Sequence, residues 1–207
     1  MQKKVIIFDM DGTLVNSSIT IANAINYVRK QLGFEPMDAK EILKSVNDNH
    51  INPAQHFYHA KAFDKDHERW FSEYYSQNHG QELVLYEGIL PLLEKLKAKG
   101  YLLAVATNAY RQSTLESLGY LQILDIFDEV ACFDDVAEGK PSADMLYKVL
   151  TALECESSEA IFVGDGPRDE MAAKAAKMDY LMVDWGFTEH SDAVCTVDAL
   201  EGLLIDV

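Results

Sequence analysis

The sequence predicts an α/β protein: a parallel sheet in a three-layer arrangement, helices on both faces, with a helical insert. Three observations carry that reading. A short apolar run, Val5 to Phe8, ends at two aspartates with one residue between them, and such a run reads as a strand buried on both faces. From Gly88 onward helix-like and strand-like segments alternate, which implies parallel strands joined by helical crossovers. Between the two, Asn16 to Glu87 is far too long for a loop in a compact domain and must carry its own structure.

The first strand closes in the stretch VIIFDMDGT. If Asp9 and Asp11 stay extended, both carboxylates project from one strand tip, because side chains two apart share a face. Gly12 then frees the backbone to turn. Two carboxylates this close persist where a cation or a shared proton offsets their charge. Mg²⁺ suits them, since it takes oxygen ligands and is commonly held by one or two carboxylates plus a substrate phosphate. The same residues also read as an exposed Asp-x-Asp-Gly turn.

In the insert, Ser17 and Ser18 can cap a helix whose stripe runs through Ile21, Ala24, Ile25, Val28 and Leu32 and ends near Gly33. Further helices follow, bounded by Pro36, Pro53 and the Phe63 to Asp66 region. The insert holds His50, His56, His59, His67 and His79 and many aromatics, which read as its own core. His56 and His59 lack the i, i+4 register with an acid that a metal pair needs.

The segment ILPLLEKLKAKG reads as an amphipathic helix with Pro91 in its first turns and Gly100 as its cap. YLLAVATN is a buried strand ending at Thr107 and Asn108, neutral donors able to hold phosphate oxygens or simply to start a turn. A helix from about Tyr110 to Leu118 stops at Gly119, and a strand lies near Glu129 to Phe133. Lys140 precedes Pro141 and Ser142, and Ser142 can cap a helix through Leu146, Val149 and Leu150. On their own, Lys140 reads as a solvated charge and Asp134, Asp135 and Glu138 as a solvated acidic loop. A strand from Ile161 to Val163 ends at Gly164-Asp165, and a helix beginning around Arg168 puts Asp169 in its first turn, so both acids can face one crevice. YLMVDWG supplies a fifth strand and Val197 to Leu204 a closing helix. Ligands of such sheets bind outside the carboxyl ends of the strands, where Asp9, Asp11, Thr107, Asn108, Lys140 and Asp165 all fall.

At 207 residues the chain can form one good core, or a core with a small insert, burying roughly 70% of its unfolded surface. A formal net charge of −16 argues against nucleic acid or an anionic membrane as partner. It does not exclude a small anionic substrate, because a metal ion and a lysine make a pocket locally positive. Cys132, Cys155 and Cys195 are odd in number with no Cys-x-x-Cys pair, so a reducing cytoplasm is the expected home. MQKK and the short apolar run after it are too short for a signal peptide or membrane span.

DMDGT, the ATN strand end, Gly-Lys-Pro and Gly-Asp-x-x-x-Asp resemble, in order and at familiar separations, the four motifs of the haloacid dehalogenase superfamily. The insert and Trp185-Gly186 resemble its phosphoglycolate phosphatase-like branch. The resemblance implies a Rossmann-like catalytic core of residues 1–15 and 88–207 and a helical cap of residues 16–87. It implies a Mg²⁺-dependent phosphatase acting on a small phosphorylated metabolite, as monomer or homodimer. Asp9 would be the nucleophile, forming an aspartyl-phosphate, and Asp11 the general acid and base. Asp9, Asp165 and the backbone carbonyl of Asp11 would bind the metal, Asp169 would orient metal-bound water or Lys140, and Thr107, Asn108 and Lys140 would hold the phosphoryl oxygens. The presence of Asp11 sets the chain apart from the dehalogenases, which lack that acid. A phosphosugar mutase, a phosphonatase using one of Lys40, Lys44, Lys61 or Lys65, or a non-catalytic phospho-ligand module would share the core. Three departures stand out: KPSADM lacks a second proline, Lys177 stands where glycine often ends the fourth-motif helix, and KSVNDNHIN lacks the usual cap glycine. The last leaves phosphoglycolate, a sugar phosphate, a nucleoside monophosphate and pyrophosphate open as substrates, with Lys44, Asn47 and His50 as candidate cap contacts.

Overall fold

The computed structural model describes residues 3–46, 51–186 and 192–205, the side chains of 79–81 excepted. The chain divides into two compact units, one of Met1–Asn16 with Val84–Val207 and one of Ser17–Leu83.

The first unit is built on β1, Val5–Phe8, in which all four residues are buried. Its neighbours are β4, Leu102–Ala106, and β6, Ala160–Gly164, and all three run parallel. The sheet is completed by β5, Glu129–Ala131, beside β4 and by β7, Asp179–Met182, beside β6, also parallel. The strand order β5-β4-β1-β6-β7 puts β1 at the centre. A strand with neighbours on both edges and helices on both faces must be apolar throughout, which is why VIIF shows no alternation.

Strand geometry sorts those residues. Val5 and Ile7 join Ala104, Ala106, Phe162 and the buried side chains of α7, Asp144–Ala152, and α8, Pro167–Ala176, in one core cluster. Ile6, Phe8, Leu103 and Val105 are equally buried and point to the opposite face, where α5, Ile89–Ala98, packs on β4 and α9, Val197–Leu204, packs on α5. Full burial of each such side chain is worth about 1.5–3 kcal/mol. A two-residue antiparallel ribbon, β2, Val15–Asn16, with β3, Val84–Leu85, pairs the two stretches of this unit that precede and follow the insert in sequence. Ribbons this short leave no periodicity in the sequence.

The second unit is helical: α1, Ser18–Gln31, α2, Ala39–Val46, α3, Pro53–Tyr58, and α4, Lys65–Glu82. Ala22, Ile25, Val28, Ile42, Phe57 and Tyr58 form its core, with Trp70 and Phe71 packed against it. Buried Arg29 ties the far end of α1 to its surroundings, donating to Glu35 O at 2.9 Å and Phe57 O at 2.5 Å. Ser17 sits at the start of α1, but its side chain makes no capping bond.

Two chain reversals differ from expectation. Gly119 lies inside α6, Arg111–Tyr120, and the left-handed residue that ends the segment is Gln122, with φ of 59°. The helix continues because Leu118 is fully buried and packing outweighs the roughly 1 kcal/mol that a helical glycine costs. At the end of α8 the reversal survives without its glycine: Lys177 itself adopts the left-handed conformation, φ 52° and ψ 41°. A side chain in that region costs roughly 1–2 kcal/mol. Lys177→Gly is therefore expected to raise stability by about 1 kcal/mol, net of the added freedom of the unfolded chain. Urea denaturation checks it; unchanged or reduced stability counts against strain at this residue.

Candidate active site

Three adjacent strand ends supply the site. Asp9 follows β1, Thr107 follows β4 and Asp165 follows β6, so the sheet's own spacing sets them side by side. The backbone N–H of Asp9 donates to Val163 O at 2.8 Å, extending the β1–β6 pairing one residue past the strand. Asp9 is 6% exposed, Asp169 4% and Lys140 6%, which removes the solvated reading of the lysine.

Lys140 Nζ lies 2.5 Å from Asp9 Oδ1, 2.7 Å from Asp169 Oδ1 and 2.9 Å from Ala106 O. An ammonium has three protons and no acceptor, and here each proton has an oxygen to meet. The ring of Phe162 lies 5.4 Å from the same nitrogen, within cation–π range. Carboxylate oxygens of Asp9, Asp165 and Asp169 lie within 4.8 Å of one another.

Glycines make the crowding possible. Gly12 turns with φ of 83°, and a Cβ there would stand 2.1 Å from Asp165 Oδ2. At Gly164 a Cβ would meet three atoms of the Asp169 side chain at 2.6 Å. Asp169 is held at the head of α8, where Gly166 N donates to its Oδ2 at 3.2 Å.

Electrostatics follow from burial. Burial, above all, pushes the Asp9 carboxyl well above its usual range; Lys140 opposes this, and the charges of Asp169 and Asp165 add to it. Burial, then Asp169, pushes Asp165 up to about 7. For Lys140 burial works against the charge, but Asp169 and Asp9 outweigh it and the ammonium is held above its usual range. A cluster of oxygen-only donors, crowded enough to resist ionising together, fits a hard divalent cation. This is the only group of three or more metal-capable side chains among the described residues.

Asn108 stands apart from the simple phosphate-donor expectation. Its Nδ2 donates to Lys140 O at 3.0 Å and its Oδ1 accepts from Lys140 N at 2.8 Å, so the amide clamps the loop that delivers the lysine. Thr107 Oγ1 accepts from Ala109 N at 3.1 Å. Asp11 is half-buried, and its carboxylate lies outside the Asp9, Asp165 and Asp169 group. Trp185 Nε1 donates to Thr13 O at 3.0 Å, tying the loop after Asp9 to the segment beyond β7.

The acidic loop is likewise not simply solvated. Arg111 meets Asp135 twice, through Nε at 2.7 Å and a terminal nitrogen at 2.6 Å. Asp135 also accepts from Cys132 N at 2.8 Å, and Asp134 accepts from Arg111 N at 2.8 Å. The partners are 24 residues apart, which local charge patterning cannot reveal. Of the candidate residues in the insert, Lys40, Lys44, Lys61 and Lys65 are exposed, and Asn47 and His50 lie outside the described residues. His56 and His59 pack edge-on against Phe57 and Phe34, and among the described residues neither joins a metal-capable group.

A parallel sheet with carboxylates and a buried lysine gathered at its carboxyl edge defines an α/β enzyme of the kind that handles anionic substrates. Residues 6–183 match the family described as haloacid dehalogenase-like hydrolase, and the chain belongs to it. It is 31% identical over 191 residues to a phosphoglycolate phosphatase of Aquifex aeolicus, covering 92% of this chain and 89% of that protein. It is 27% identical over 188 residues to the pyrophosphatase PpaX of Bacillus cereus, covering 89% and 85%. Among solved structures, a "predicted phosphoglycolate phosphatase" from Haemophilus somnus superposes with a TM-score of 0.78 at 28% identity, covering 90% of this chain and 87% of that one.

The Arg111–Asp135 pair gives a pH test. Arg111 hydrogen bonding, foremost, holds the Asp135 carboxyl below its usual range. A depressed folded pKa contributes stability that is present above the unfolded value, near 3.9, and is lost as pH falls through the folded value. Asp135→Asn is expected to cost about 1 kcal/mol at pH 7, a figure discounted because the Arg111 side chain is 37% exposed. The gap from wild type should close below about pH 4. Urea titrations at both pH values check it; a gap independent of pH contradicts an ionic origin.

Proposed function

We propose that the chain is a Mg²⁺-dependent phosphatase that hydrolyses a small phosphate monoester through a phosphoryl group carried transiently on Asp9. The observation that carries this reading is the buried ammonium of Lys140 shared by Asp9 and Asp169. Its positive charge opposes the burial that favours a neutral Asp9 carboxyl, at the sheet edge where a phosphate would arrive.

In the reaction an Asp9 oxygen attacks phosphorus, the phosphorus–ester oxygen bond breaks, and Asp11 gives its proton to the departing oxygen. Asp11, now a carboxylate, takes a proton from water. The water oxygen attacks phosphorus, the bond to Asp9 breaks, and inorganic phosphate leaves with Asp9 regenerated. The Thr107 hydroxyl and the second amide hydrogen of Asn108 hold phosphoryl oxygens, and Lys140 exchanges its Asp9 contact for one of them. Asp9, Asp165 and the backbone carbonyl of Asp11 would hold the Mg²⁺, with Asp169 behind them on Lys140. When bound, the metal supplies the positive charge that lets an anionic nucleophile approach an anionic phosphate.

The helical unit, Ser17–Leu83, is assigned the role of cap, selecting the leaving group. The named activities of the relatives support 2-phosphoglycolate as substrate, and the similarity to PpaX supports pyrophosphate as a second reading. A phosphonatase would need a desolvated lysine from the insert, and the four candidates are exposed. Complete retention of the acids and the buried lysine argues against a non-catalytic binding module. No helix among the described residues is long and apolar enough to cross a membrane, and the three cysteines are free, which supports a cytoplasmic location.

Phosphate release from a panel of esters and pyrophosphate tests the reading. Turnover of 2-phosphoglycolate is expected, abolished by chelating Mg²⁺ and reduced at least ~10³-fold in Asp9→Asn, the scale on which removal of a nucleophile acts. Undiminished turnover in Asp9→Asn, or without divalent metal, would overturn it.

A further inference from the structure

Tyr180 stands on the edge strand β7 in register with Phe162 of β6, the two rings 6.0 Å apart. Its hydroxyl reaches the carbonyl oxygen of Gly164 at 3.0 Å and that of Gly166 at 3.3 Å. Those two carbonyls flank Asp165. One O–H therefore ties the Gly164–Asp165 peptide group to the Gly166–Pro167 peptide group, the two ends of the short loop that carries Asp165.

Packing does not require the hydroxyl, since a phenylalanine would fill the same space against Phe162. Nor does it rescue orphaned acceptors. Gly164 O already accepts from Val183 N at 2.9 Å and Gly166 O from Asp169 N at 3.0 Å, so both are satisfied by backbone. What the hydroxyl adds is a cross-tie on a Gly-Asp-Gly loop, the most conformationally permissive surroundings an aspartate can have. Tolerance there is small, because Asp165 Oδ2 occupies space that a Cβ on Gly12 would need. Burial, then the charges of Asp169, Asp165 and Asp9, push the phenol far above its usual range, which keeps the proton on the oxygen and the hydroxyl a donor.

We propose that Tyr180 is a positioning residue for the metal site, its hydroxyl fixing the loop in the geometry that lets Asp9 and Asp165 hold one divalent cation. The inference rests on the assignment of Asp165 as a ligand made above. Tyr180 acts through the loop and touches neither substrate nor metal. Groups that orient ligands in this way affect metal affinity on the scale of 10–100-fold.

Calorimetric titration of the full chain with Mg²⁺ alone, in wild type, Tyr180→Phe and Asp165→Asn, tests it. Tyr180→Phe is expected to weaken Mg²⁺ about tenfold with the metal-free thermal midpoint unchanged, and its kcat should return at saturating Mg²⁺. Should the variant prove less stable, the Mg²⁺-induced rise in its own thermal midpoint gives the same comparison, and that rise should shrink. Unchanged Mg²⁺ affinity in Tyr180→Phe, with binding lost in Asp165→Asn, overturns the role of Tyr180 and leaves Asp165 a ligand. Unchanged affinity in Asp165→Asn overturns the ligand assignment and the inference with it.

Discussion

One ammonium group inside a ring of oxygens is the constraint on which the rest of the site depends. Lys140 and Asp9 are 131 residues apart in the chain and 2.5 Å apart in the fold. Buried carboxylates are tolerated only when paired and hydrogen-bonded, and this lysine pairs two of them while capping the carbonyl of Ala106. Removing one partner of a buried pair costs about 3–5 kcal/mol. The surrounding contacts can be understood as what places that cation: Asn108 clamps its backbone on both sides, and Asp169 is itself fixed by Gly166 N.

The same constraint explains how a chain with a net charge of −16 can hold an anion. Charge is local. The three acids crowd together at the strand ends, burial and mutual repulsion push Asp9 and Asp165 up, and the arrangement is left with an appetite for positive charge that one lysine does not satisfy. A divalent cation and the lysine together would turn an acidic surface into a site selective for phosphate.

Much of this was legible in the sequence, for identifiable reasons. An unalternating run such as VIIF can only be a strand with both faces covered, and the ends of such strands are where acids meet, so Asp9, Asp165 and Asp169 follow from pattern and position. Burial of Lys140 was not legible, because a lysine in a loop looks the same whether it is solvated or paired with an acid from the far end of the chain. Asp135 was hidden similarly: its partner Arg111 belongs to a different helix. The double role of Asn108 left no local signature, since a strand-end amide reads as a donor to ligand and its reciprocal bonds go to backbone 32 residues away. Lys177 illustrates the converse, where the sequence marks a missing glycine and the fold keeps the turn at the expense of strain.

Asp9, paired with the buried ammonium of Lys140, is the residue proposed to carry the phosphoryl group. The most direct test of that role is acid quench of the Asp11→Asn enzyme during turnover of p-nitrophenyl phosphate with Mg²⁺, followed by mass spectrometry of the peptide containing Asp9. The account requires the mass of one added phosphoryl group on Asp9, accumulating because the variant lacks the base that activates water. Product formation with no phosphoryl group on that peptide, or with the group on another residue, would contradict it.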